Sequence, residues 1–192
     1  MTDKESIEEK LQKARKAVEG VMSSNAIILP KFYGTDLSSV TPTPLPEIQL
    51  GFCYGLVSQT IEFHKINIGR ELFDLTKALT PQVHDALVYF SICHELGHIV
   101  LRDNIILFPW MNYSGETEKH KEEFLCDGFA VYLMFNCLSL PSEYLSYINL
   151  YFYFFKWYES INPVTGDSHP DSLLRKEKIN TLLSTQPIKE KQ

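Results

Sequence analysis

His94-Glu95-Leu96-Gly97-His98 puts two imidazoles and a carboxylate within five residues. On a helix, residues four apart lie on one face, so His94 and His98 can aim ring nitrogens at a single metal ion. Glu95 sits about 100° round the same helix and can reach a water on that ion. Zinc held by neutral ligands brings the pKa of its water toward about 7, and a carboxylate beside it can take the proton. An H-E-x-x-H run alone recurs by chance. It gains meaning from a helical context and a third ligand.

The helical context is present. Thr80 is a suitable N-cap, followed by Pro81 at the first helical position. No further proline interrupts the chain to about Leu101. Val83, Leu87, Phe90, Ile92, Leu96, Ile99 and Val100 give a wide apolar surface, and the polar turn at Leu101-Arg102-Asp103-Asn104 predicts the end. Two histidines and a glutamate on such a helix need partners or a metal, because buried polar groups are otherwise costly. Gly97 weakens the helix but lets another segment come close.

Leu101 and Asn104 stand where the longer H-E-x-x-H-x-x-G-x-x-H arrangement of the metzincins requires Gly and His, so that arrangement fails. A second helix is expected from about Glu116 to Cys137, polar at first and then apolar. Within it Glu123 and Asp127 are four apart and face the same way. Glu122, His120 and Asp127 itself compete with Glu123 for the third ligand position, and an aspartate is acceptable zinc chemistry.

The pair HELGH and Glu123-Phe124-Leu125-Cys126-Asp127-Gly128-Phe129-Ala130 resembles the gluzincin pattern H-E-x-x-H…E-x-x-[AC]-D-x-F-A. That pattern is shared by the CAAX-prenyl and heat-shock membrane proteases, the ImmA/IrrE-type peptidases and the Lit-type phage-exclusion peptidases. The resemblance implies one zinc ion on His94, His98 and Glu123, with Asp127 fixing the tautomer of a ligand histidine. It continues at Ser168-His169-Pro170-Asp171-Ser172-Leu173-Leu174-Arg175, which resembles the C-terminal S-[TS]-H-P-x-x-x-x-R element of the CAAX group. There it implies that His169 contacts substrate or the tetrahedral intermediate and that Arg175 braces the site. The long apolar spans of the membrane members are missing here.

The remaining residues bound the fold. A chain of 192 residues with 44% hydrophobic and 22% charged residues suits one domain with a real core. A net charge of −6 argues against nucleic acid as a partner. The first five residues lack the basic-then-apolar layout of a signal peptide. Cys53, Cys93, Cys126 and Cys137 show no C-x-x-C spacing and read as packing thiols in a reducing, cytoplasmic setting. His64 and His84 read as ordinary surface or half-buried histidines.

Ile7, Leu11, Ala14 and Val18 predict an amphipathic N-terminal helix stopped near Gly20. Strands are expected at Ala26–Leu29, Ile48–Val57 and Thr60–Ile68, the last two placed where a substrate could add to a sheet edge. Tyr144–Tyr158 carries nine aromatic residues, but Glu143, Asn149 and Lys156 bound it too closely for a membrane span. A buried helix is expected there. A last helix is expected from about Pro170 to Ser184.

The expected architecture is α+β: a zincin-like single domain over 1–192, with an N-terminal helix and strands in 1–79 and zinc-site helices in 80–184. The expected activity is zinc-dependent cleavage of a protein or peptide, with Glu95 and His169 catalytic. The alternative is a zinc-containing peptide-binding or regulatory module with latent or lost activity. No membrane partner is expected, and the sequence is silent on oligomeric state.

Overall fold

The structure, a computed structural model, describes residues 6–23, 44–62, 64–103, 118–161 and 170–185. Its elements run α1 (Ile7–Ser23), β1 (Gln49–Cys53), β2 (Gln59–Ile61), β3 (Lys65–Gly69), α2 (Arg70–Lys77), α3 (Pro81–Asp103), α4 (Glu118–Tyr132), a π-helical turn (Leu133–Cys137), α5 (Tyr144–Ile161) and α6 (Ser172–Thr185). The fold is α+β, mostly helical with one small sheet, as expected.

The organising element is α3. From Ala86 to Gly97 every residue is buried, so the helix is enclosed all round rather than packed by one stripe. It contacts α1, α2, the sheet, α4 and α5. Ile92, Leu96 and Ile99 lie in its fully buried interior, each contributing about 1.5–3 kcal/mol of transfer free energy. Its N-terminus forms as the sequence predicts: Thr80 Oγ1 accepts from the Val83 N–H at 3.3 Å, with Pro81 following. Gly97 is the point of closest approach to α4. A Cβ there would lie 3.1 Å from Cys126 Cα and 3.2 Å from its Sγ.

α1 opens with a reciprocal cap. The Ser6 N–H donates to Glu9 Oε2 at 2.6 Å, and the Glu9 N–H donates to Ser6 Oγ at 3.1 Å. Leu11, Ala14, Val18, Val21 and Met22 face the core. Gly20 does not stop the helix, which runs on to Ser23. Nothing lies within 4 Å of a Cβ there, and the buried Val21 and Met22 keep the last turn docked.

The sheet differs from expectation. Thr60–Ile68 is not one strand: Glu62, at φ 51°, turns the chain, giving β2 and β3 as an antiparallel pair. The strand expected over Ile48–Val57 ends at Cys53, where Tyr54–Leu56 bend and Gly55 takes φ 96°. β1 pairs with β3 in parallel, giving the order β1-β3-β2 with β2 at an edge. Gly69 must be small, because a Cβ would lie 2.8 Å from Gly55 O and Leu56 C. α2 had no sequence expectation. The strand expected at Ala26–Leu29 lies outside the described residues.

The aromatic segment is helix α5, as expected, and it is half-buried rather than enclosed. Tyr144, Ile148, Phe152 and Phe155 enter the core, while Leu150, Tyr153, Trp157 and Ile161 face outward. Among the described residues, no helix is long and apolar enough to cross a membrane. α6 is capped by Asp171, whose Oδ1 accepts from the Leu173 and Leu174 N–H groups at 2.9 and 3.2 Å.

Candidate metal centre

α3 and α4 pack together and bring His94, His98 and Glu123 into one cluster, with a ligand atom from each within 4.8 Å of the others. His94 Nε2 and His98 Nε2 are 3.2 Å apart. Glu123 straddles them, its Oε2 3.4 Å from His94 Nε2 and its Oε1 3.4 Å from His98 Nε2. A tetrahedral ion with bonds of about 2.0–2.1 Å has ligand-to-ligand edges of roughly 3.3–3.4 Å. The donor set, two imidazole nitrogens and a carboxylate, therefore fits a small cation in both chemistry and spacing.

The other candidates for third ligand point elsewhere. Asp127 Oδ1 lies 2.9 Å from His94 Nδ1, and Glu122 Oε1 lies 2.8 Å from His98 Nδ1. Each carboxylate thus meets the ring nitrogen not directed at the cluster, where it can fix the tautomer and orient the ring. His120 is not part of the group. Cys126 packs on Gly97, and burial pushes its thiol up to about 12, so it stays protonated at neutral pH.

Arg175 reaches in from α6. Its Nε and Nη2 donate to Asp127 Oδ2 and Oδ1 at 2.8 and 2.7 Å, and its Nη1 lies 3.4 Å from Glu123 Oε2. Burial works against the charge on Asp127, but the bidentate guanidinium outweighs it and holds the carboxyl below its usual range. Glu123 is likewise held low: burial opposes its charge, and His94, His98 and Arg175 more than offset that. Burial also opposes a proton on His94, but Asp127 and Glu123 outweigh it and raise that histidine. Asp127 is 1% exposed, and His94, Glu123 and Arg175 are each 7% exposed.

Beside the cluster is a cavity of about 450 Å³, lined by residues that include Thr60, Glu95, Phe90, Tyr151 and the cluster itself. Glu95 is buried and opens onto this cavity. Thr60 Oγ1, from β2, is 2.9 Å from Glu95 Oε2 and 3.1 Å from its main-chain oxygen. Thr60 and the lining phenol of Tyr151 had no distinguishing signal in the sequence. Thr60 is one of several hydroxyls, and Tyr151 one of nine aromatics in its segment. Glu122 was visible only as a rival ligand. His169 lies outside the described residues; its neighbour Pro170 is buried.

Two histidines on one buried helix, a glutamate and an aspartate on the next, and the Glu95 carboxylate in the adjoining cavity are residue types that metallopeptidases use. Residues 79–144 match the IrrE N-terminal-like family of peptidases. The match spans both site helices and is consistent with the ImmA/IrrE-type group among the families that the two motifs resemble. Residues 79–144 thus resemble a metallopeptidase-type domain, and within them His94, His98 and Glu123 form a group that could hold a metal ion. Comparison with curated proteins and with solved structures finds no match.

Proposed function

We propose that this protein is a cytoplasmic zinc endopeptidase acting on an intracellular protein or peptide, with all 192 residues serving one catalytic domain. The carrying observation is the convergence of His94 Nε2, His98 Nε2 and the Glu123 carboxylate at near-tetrahedral edges, with Glu95 in the same cavity. A zinc ion held by these three residues would supply Lewis-acid polarisation of the scissile carbonyl and would acidify a water. Asp127 orients His94 and Glu122 orients His98, while Arg175 holds Asp127 and neutralises part of the buried negative charge. Glu95 takes a proton as the water oxygen bonds to the carbonyl carbon. It returns that proton to the nitrogen as the C–N bond breaks. The β2 edge, beside the cavity, offers main-chain groups for an extended substrate. His169 takes the oxyanion-stabilising role by its place in the sequence alone.

The test pairs metal analysis with substrate discovery. Wild type should purify with about one zinc per chain. New protein N-termini should appear in cells expressing it and be lost with Glu95→Gln. That variant should keep its zinc and lose roughly 10²–10⁴-fold in peptide turnover. A Glu95→Gln protein with normal turnover would remove Glu95 from the role, and a chain that binds no zinc would end the reading.

A further inference from the structure

We infer that Thr60 is the positioning residue of the general base: its hydroxyl pins one oxygen of Glu95 and leaves the other for water. The inference rests on the peptidase reading above and adds a residue from outside the helices that carry the motifs. Glu95 sits on α3, whose buried faces hold its neighbours by packing. A glutamate side chain still has three rotatable bonds, and packing of apolar neighbours does not choose which oxygen faces the cavity. A hydrogen bond does choose.

Thr60 Oγ1 lies 2.9 Å from Glu95 Oε2. A carboxylate offers only acceptors, so the hydroxyl is the donor in that contact. The same oxygen is 3.1 Å from the Glu95 main-chain oxygen, which places Thr60 over the base residue itself. Thr60 is held in turn. It pairs with Ile66 of β3, and Ile66 is fully buried, so the strand cannot drift from the helix without opening the core. A β-branched residue also has few χ1 choices, which fixes the hydroxyl direction more tightly than serine would. The base is therefore gripped from two sides: by its own helix and by the edge strand that borders the cavity. Gln59 and Thr60 both line that cavity, so a peptide laid along β2 would be located by the strand that also orients the base.

The measurement is steady-state hydrolysis of a peptide substrate by the full-length zinc-loaded protein, beside unfolding of its metal-free form. Thr60→Val keeps the branched shape and removes the donor. It should lower kcat roughly 10–100-fold, the range for lost outer partners of a site, with KM and zinc content unchanged. Thr60→Ser should recover most of the loss. In a Glu95→Gln background Thr60→Val should cause little further loss, because the base it positions is gone. In the metal-free protein, Thr60→Val and Glu95→Ala should shift the unfolding midpoint by less together than the sum of their separate shifts. Wild-type kcat in Thr60→Val overturns the inference, as does an equal loss in both Glu95 backgrounds or additive midpoint shifts. Failure of the wild type to cleave any peptide overturns the peptidase reading and this inference together, while turnover that ignores Thr60 overturns this inference alone.

Discussion

The two histidines of the motif are equivalent in sequence and unlike in support. His94 leans on Asp127, a buried carboxylate clamped by two Arg175 nitrogens. His98 leans on Glu122, whose side chain is 47% exposed. Inside the core the effective dielectric is low, so a charge without its partner is expensive. At the surface, water and salt screen the same type of contact, and its worth is about 0.2–1 kcal/mol. One arm of the site is thus built into folding, and the other is an adjustable contact.

The largest effect should follow from Arg175→Ala. It leaves Asp127 buried with its main counter-charge removed, and takes from Glu123 a weaker partner than His94 and His98. Breaking a buried pair by deleting one partner costs about 3–5 kcal/mol. Denaturant unfolding of the metal-free protein should show a loss of that order. Arg175→Lys should recover little, because lysine cannot reproduce the two-pronged contact. A loss under about 1 kcal/mol, in the range of an exposed pair, would mean that the buried arm is no stronger than the exposed one.

Next come the carboxylates, read as zinc affinity of the folded protein. Glu123→Ala should weaken binding most, because it removes a donor of the cluster. Asp127→Ala should cost roughly 10–100-fold, acting through His94. Glu122→Gln should cost no more than about fivefold, the upper end for an exposed pair. That small effect should shrink further in high salt. If Asp127→Ala loses zinc while Glu123→Ala keeps it, their roles are exchanged. If Glu122→Gln matches Asp127→Ala, exposure does not govern the strength of an arm.

The same contrast separates what the sequence made legible from what it hid. The His94–His98 geometry, the Thr80–Pro81 start of α3 and the closeness permitted by Gly97 are local consequences of residue order, and each was readable. Glu123 and Asp127 were readable as one face of a helix, but their division of labour rested on resemblance. Spacing alone left Glu122, His120 and Asp127 in competition. The Arg175–Asp127 clamp joins residues 48 apart and the Thr60–Glu95 contact joins residues 35 apart. No periodicity encodes such pairs, which exist only once α6 and β2 have docked. α2 was missed because it has eight residues and a Gly69 N-cap with no side-chain bond. The turn at Glu62 was missed because a glutamate at positive φ carries no turn signature of the Gly or Asn kind.

The smallest effect tests the exposed end of the buried arm. Asp171 caps α6, the helix that delivers Arg175, and also pairs with Lys156. Both partners of that pair are close to half exposed. Asp171→Ala should cost about 0.5–2 kcal/mol by removing the cap. Asp171→Asn keeps a good cap and removes only the charge, so it should cost about 0.2–1 kcal/mol at neutral pH. The hydrogen bond from Lys156 is the main cause holding the Asp171 carboxyl below its usual value. The slight burial opposes it, and the Leu174 and Leu173 N–H groups assist. A carboxyl with a depressed folded value contributes stability that is full above its unfolded value and is lost as pH falls through the folded one. The gap between wild type and Asp171→Asn should therefore be constant from pH 7 down to about 5, narrow below about 4, and vanish in stronger acid. Unfolding curves of the two proteins across that range decide it. A gap that persists unchanged at the acid end would assign the contribution of Asp171 to cap geometry instead of charge.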